Sequence, residues 1–195
     1  MRTVAAFEHM TLDGYASSGQ GTGFEWTFHA FSDEFAEFAD GHLRADIDTA
    51  IYGRQTYLGM YGYWGDQPTA ESSAHERAHA EWVKAVDKIV CSTTLESADW
   101  NNTRLIRGDL AREFAELKAG PGGTMAIYAS PRLVHSFVDL GLIDEFRLIV
   151  HPVVLGSGTP LFHDKSALDL DLMESQAFES GAIYLRYRVG RERIA

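Results

Sequence analysis

Short apolar runs and longer segments of helical periodicity take turns along this chain, and few folds can accommodate that order. TVAAF (3–7), DTAIY (48–52), KIVCS (88–92), TRLI (103–106), TMAIYAS (124–130) and EFRLIVHPVVLG (145–156) read as strands. A helix is expected from Ser32, an N-cap with Asp33 and Glu34 behind it, and others over 75–85, 109–120 and 131–141. The tail LDLMESQAFESGAIYLRYRV reads as two strands around ESG, an antiparallel hairpin. Strands separated by helices imply an α/β fold with a mainly parallel sheet covered on both faces, which the closing hairpin makes mixed. At 195 residues, with no repeat and no linker, the chain is expected to form one domain.

Between the first strand and the first helix lies EHMTLDGYASSGQGTGFEW, whose glycines and small polar residues predict a long, functional loop. The helix after it carries Phe31, Phe35, Phe38, Ala39, His42 and Leu43 on one face. Asp33, Glu37, Asp40 and Arg44 fall on the other.

A net charge of −11 argues against an extended nucleic-acid partner, although a local basic pocket for a small anion remains open. With Cys91 alone, neither an intrachain disulfide nor a multi-cysteine metal site can form. The opening MRTVAAFEHM turns polar at Glu8 before a signal-peptide core develops. No apolar run approaches the roughly 20 residues that span a bilayer. A cytoplasmic protein with no membrane partner is expected.

One motif points elsewhere. His75, Glu76 and His79 spell H-E-x-x-H, the arrangement in which two histidines on one helix face grip zinc and the glutamate acts as base. A third ligand and the extended pattern are missing, so the match is read as accidental and no metal is expected.

In sheets of this kind ligands bind at the carboxyl ends of the strands. Three such ends carry suitable residues. Gly53, Arg54 and Thr56 follow one, the hydroxyls of Ser92, Thr93 and Thr94 follow another, and Ala129, Ser130 and Arg132 follow a third. A helix N-terminus offers free N–H donors and positive potential to phosphate, and arginine adds a two-pronged donor. Together they suit a dinucleotide, although the G-x-G-x-x-G fingerprint is absent.

TLDG, GRQTY, CSTTL, WNNT, GLIDEFRL and HPVVLGSGTPLF occur here in an order that resembles dihydrofolate-reductase-like proteins. The resemblance is closest to the C-terminal reductase domain of bacterial bifunctional riboflavin-biosynthesis deaminase/reductases. It runs from about residue 2 to 189 and implies a dihydrofolate-reductase-like domain, NADPH as hydride donor, with NADH possible, and a homodimer. On the family's pattern Gly53, Arg54 and Thr56 match the phosphate turn. Ser92, Thr93 and Thr94 match the segment near the adenosine ribose and its 2′-phosphate. Ala129, Ser130, Pro131, Arg132 and Leu133 match the pyrophosphate segment, and Asp13 matches the first-loop aspartate. Trp26, His42, Tyr57 and Tyr128 are the candidates for touching substrate. No catalytic residue is assigned.

The sequence also departs from the family. Ala129-Ser130 stands where relatives often have Gly-Gly or Gly-Ser, and Thr93 stands where many have arginine. Tyr128 replaces a substrate-binding glutamate, and the inward face of the first helix lacks the acid that holds folate. Several candidates keep a plainer reading. Asp13 can simply hold its loop through turn hydrogen bonds, His42 can be a bonded core histidine, and Tyr57, Tyr61, Tyr63 and Trp64 can be packing. Two functions stay open: an NADPH-dependent reductase of a small planar heterocyclic or carbonyl substrate, or a protein that binds nucleotide or ligand without turnover.

Overall fold

The computed structural model describes residues 1–18, 24–163 and 167–190; positions 19–23 of the predicted first loop lie outside them. In chain order the strands are β1 (Val4–Thr11), β2 (Tyr15–Ser17), β3 (Ile47–Gly53), β4 (Asp87–Cys91), β5 (Thr103–Ile106), β6 (Thr124–Tyr128), β7 (Glu145–His151), β8 (Thr159–Pro160), β9 (Leu170–Ala177) and β10 (Ile183–Val189). The helices are α1 (Asp33–Phe38), α2 (Arg54–Trp64), α3 (Ala74–Ala85), α4 (Leu110–Ala119) and α5 (Pro131–Asp139). Eight strands form one sheet in the order β5-β4-β3-β6-β1-β7-β10-β9, and β2 pairs with β8 beside it.

All pairings from β5 to β7 are parallel. Those of β10 with β7 and with β9 are antiparallel, as the sequence predicts. Strands buried on both faces read as continuous apolar runs, which is why these six were visible in the sequence. The period of two divides the core. Val4, Ala6, Ile51, Ile127 and Phe146 meet Phe114, Leu133, Val134 and Phe137 of α4 and α5 on one face. On the other, Phe35 and Leu43 meet Ile149 and Tyr184, while Tyr52, Tyr57, Val90 and Trp100 form a second cluster.

Three strand boundaries change. The first strand does not stop at Phe7: Glu8, His9, Met10 and Thr11 pair in register with Leu148, Ile149, Val150 and His151. Polar residues do not end a strand when neighbouring strands satisfy its backbone. The strand through 130 ends at Tyr128, and the run over 145–156 ends as strand at His151.

The helix after Ser32 changes most. Ser32 caps it as predicted, its hydroxyl accepting from Phe35 N at 3.2 Å. The α-helical turn then gives way at Ala39–Leu43 to a π-turn, whose extra residue rotates everything beyond it. Arg44, predicted on the outer face, turns inward, pairs with Asp40, meets His79, and lies 5.4 Å from the Trp82 ring. Phe31 and His42, predicted inward, are exposed.

Candidate functional site

At the carboxyl edge of the sheet, β3 runs directly into α2 and β6 is followed within two residues by α5. Gly53 is the N-cap of α2 and Ser130 the N-cap of α5. Gly53 N donates to Ser130 Oγ at 3.0 Å, and Thr56 Oγ1 donates to Ala129 O at 2.7 Å. The Ser130 hydroxyl lies 2.9 Å from Thr56 Oγ1 and 2.8 Å from Tyr128 O, and its single proton can serve one of them at a time. Two strand ends are thereby locked together. Ala129 sits at φ 45°, left-handed backbone that glycine adopts more readily.

Beside that lock two cations have no carboxylate partner among the described residues. Arg54 is exposed, and its side chain makes one hydrogen bond among the described residues, Nη1 to Thr94 Oγ1 at 3.5 Å. The exposed Arg132 side chain makes no hydrogen bond or ion pair to the described residues. Arg54, Tyr57, Tyr61, Thr94, Ser97 and Asp99 are among the residues lining a cleft of about 380 Å³. In a chain of net charge −11, two arginines without a carboxylate partner among the described residues, each beside a helix N-terminus, have the chemistry to attract an anion, although Glu96 and Asp99 also line the cleft. The donor set fits a pyrophosphate-bearing nucleotide.

Other predicted residues take supporting roles. The Ser92 hydroxyl accepts from Thr94 N at 3.2 Å and Leu95 N at 3.0 Å, which shapes the turn and leaves Thr93 and Thr94 exposed. Asp13 accepts from Thr11 Oγ1 at 2.5 Å, Leu155 N at 3.2 Å and Gly156 N at 2.7 Å. Those bonds hold its carboxyl below the usual range, the Thr11 hydroxyl most of all. Asp13 therefore ties the first loop to the segment after β7, the plainer of its two readings. Pro131 opens α5, and Leu133 faces the core from it.

The four substrate candidates do not gather. Tyr57 is buried, its hydroxyl accepting from Trp100 N at 2.9 Å, and belongs to the core. Tyr128 lies among Phe7, Trp82 and Tyr52, with ring centroids 5.1, 5.7 and 6.2 Å away, and burial pushes its phenol well above the ordinary value. Trp26 stands edge-on to His151 at 5.0 Å. His42 points elsewhere: it stacks on Phe38 and meets the Glu174 carboxylate of β9 at 2.9 Å, a consequence of the π-turn.

The H-E-x-x-H residues are engaged in structure. Glu76 completes a capping box with Ser73, accepting from Ser73 N at 2.7 Å. His75 Nδ1 meets Asp40 at 2.9 Å, and His79 is wedged between Trp64, Trp82 and Arg44. Burial and the Arg44 charge pull His79 down to about 3.

Two features escaped the sequence reading. Glu8, 1% exposed, accepts from Ser130 N at 2.7 Å, and burial pushes its carboxyl up to about 8. On the opposite face of the same strand, His9 Nδ1 meets His151 Nε2 at 2.8 Å. Around this pair stand Phe7, Phe31 and Phe35 against His9, and Trp26 and His29 against His151. Alternating Phe7-His9-Thr11 was the available signal, but it was hidden by reading the loop from Glu8.

The sequence matches the RibD C-terminal domain family over residues 2–184. The chain belongs to that family. A Bacillus subtilis (strain 168) relative, the uncharacterised protein YyaP, is 33% identical over 181 residues, 91% of this chain and 90% of the relative. Among solved structures, a putative riboflavin biosynthesis protein from Shewanella sp. PV-4 superposes with a TM-score of 0.76 at 21% identity, covering 97% of this chain and 99% of the other. Dihydrofolate reductase from Enterococcus faecalis, solved with NADP(H), gives 0.58 at 13% identity and covers 96% of both chains. The fold of this RibD C-terminal domain is thus dihydrofolate-reductase-like. The two locked strand ends and the histidine pair lie at the carboxyl edge of its sheet.

Proposed function

We propose that the chain is an NADPH-dependent reductase that transfers a hydride to a small planar substrate. The observation that carries this reading is the pair Arg54 and Arg132, both without carboxylate partners among the described residues and lying at the N-termini of α2 and α5. Family membership supports an oxidoreductase, and the fit of the donor set supports a dinucleotide. Gly53, Arg54, Thr56 and the segment Ala129–Leu133 would hold the cofactor phosphates; Thr93 and Thr94 would lie toward its adenosine end. The cofactor would supply the hydride. The chain's own work is to fix the phosphates, place an aromatic wall of Phe7, Phe31, Phe35 and Tyr128 beside a flat substrate, and exclude water.

Binding without turnover is the competing reading, since Tyr128 stands where the family resemblance leads one to expect a substrate-binding glutamate. Stopped-flow oxidation of NADPH against pterins, pyrimidines, quinones and aryl ketones separates the two. The reductase reading expects substrate-dependent oxidation by at least one class. Tight NADPH binding with none oxidised supports the binder.

A further inference from the structure

His9 and His151 are 142 positions apart in sequence, and parallel pairing of β1 with β7 brings them together. Both rings are held neutral: burial first, then the partner's charge, pulls His9 down to about 3, and burial with His29 pulls His151 down to about 4. One proton lies between them, so the direction of that single bond fixes both tautomers.

His151 is fully buried, and its Nδ1 has no hydrogen-bond partner. If His9 donated, the neutral His151 would carry its proton on Nδ1, leaving a buried N–H unsatisfied. If His151 Nε2–H donates, Nδ1 is only a bare lone pair. Orphaned buried N–H groups are the rarer and costlier of the two. His151 Nε2–H therefore donates to His9 Nδ1, and His9 must carry its own proton on Nε2.

That atom is positioned to be used. His9 keeps accessible surface where His151 has none, and among the described residues its Nε2 has neither a hydrogen bond nor a place among the buried orphan atoms. It opens among Phe7, Phe31 and Phe35, whose ring contacts with it run from 5.6 to 6.3 Å. Phe31 is 53% exposed, and Phe28 beside it 62%. An aromatic enclosure with one neutral N–H donor suits a flat molecule bearing an acceptor oxygen.

We propose that His9 is a catalytic residue that hydrogen-bonds and protonates the carbonyl oxygen of a planar substrate, with His151 as its positioning residue. The inference rests on the reductase reading for its redox half. On that reading the bound cofactor would supply a hydride to the carbonyl carbon and be oxidised, the C=O π pair would move to oxygen, and oxygen would take the proton of His9 Nε2. His151 Nε2–H keeps donating to His9 Nδ1 and holds that ring while His9 Nε2 is deprotonated; water then returns a proton to His9 Nε2 and leaves as hydroxide.

The test uses the full chain labelled with ¹⁵N, and long-range imidazole spectra read the tautomers directly. The probes are 1-indanone and indane, the same skeleton with and without the carbonyl. The expected result is an Nε2–H tautomer for both histidines, with a His9 Nε2 resonance that 1-indanone shifts and indane does not. His9→Phe should weaken 1-indanone binding about three- to tenfold, the range for one neutral hydrogen bond, and leave indane binding unchanged. His9→Gln retains an N–H donor and should recover ketone binding without turnover. His151→Ala should leave His9 a tautomer mixture, and His151→Gln should restore it. A His9 proton on Nδ1, or equal ketone binding by wild type, His9→Phe and His9→Gln, overturns the proposal. NADPH affinity is measured separately on the same proteins. Its absence in wild type sinks the reductase reading, whereas the ketone shift at His9 reads the donor role by itself.

Discussion

Glu8 illustrates how a single side chain can report on the site around it. Its carboxyl ionises near 4.5 when the chain is unfolded and near 8 when folded, because the folded chain withdraws it from water. Between those values folding takes up a proton, so this group's contribution to stability falls as pH rises. Glu8→Gln keeps an acceptor for Ser130 N and removes the titration. Urea unfolding should show the variant more stable than wild type at pH 8, with the difference shrinking toward pH 5. Thr93 is the second residue of interest: it is exposed beside Thr94, where the family resemblance leads one to expect an arginine. Thr93→Arg should raise NADPH affinity and leave NADH affinity nearly unchanged, which parallel titrations of both nucleotides would read. At this scale the residues at the ends of β3 and β6 were legible because they follow apolar runs in the sequence itself. The histidine pair was not, since its partners come from strands whose adjacency and register no local pattern encodes.

At the scale of elements, strands buried on both faces and the closing hairpin announced themselves, while the helix after Ser32 did not. A helical period assumes constant turn size, and the π-turn at Ala39–Leu43 breaks that assumption. It sends Arg44 inward and His42 out to Glu174, so the predicted substrate histidine was misplaced by one extra residue. In α3 the sequence pattern was correct and its chemical reading was structural. Ser73 and Glu76 cap the helix reciprocally, which occupies the glutamate of the H-E-x-x-H spelling. Ser73→Ala should lower stability by about 1 kcal/mol, the usual cost of losing an N-cap, as measured by urea unfolding. An unchanged midpoint would show that α3 is held by packing alone.

For the molecule as a whole, the uncovered part of the sheet is its hairpin edge. Leu172 of β9 and Ile183 of β10 share a face with Leu185 and Tyr187, and are 56% and 40% exposed. β9 is also an edge strand, with ladder groups unpaired on one side. We expect a homodimer that covers this region; light scattering at concentrations of tens of micromolar should give twice the chain mass, and Leu172→Lys should give the monomer. Among the described residues no helix is long and apolar enough to cross a membrane. The central claim is that the locked ends of β3 and β6 hold the phosphates of a nicotinamide dinucleotide. Titrating NADPH by quenching of tryptophan fluorescence tests it most directly, on wild type and on Arg54→Ala. The account predicts wild-type binding well below millimolar. It predicts a loss of about 1.5–3 kcal/mol in the variant, the range for a hydrogen bond to a charged group, or roughly ten- to a hundredfold in Kd. Wild type that binds neither NADPH nor NADH below millimolar, or Arg54→Ala that binds NADPH as wild type does, would contradict it.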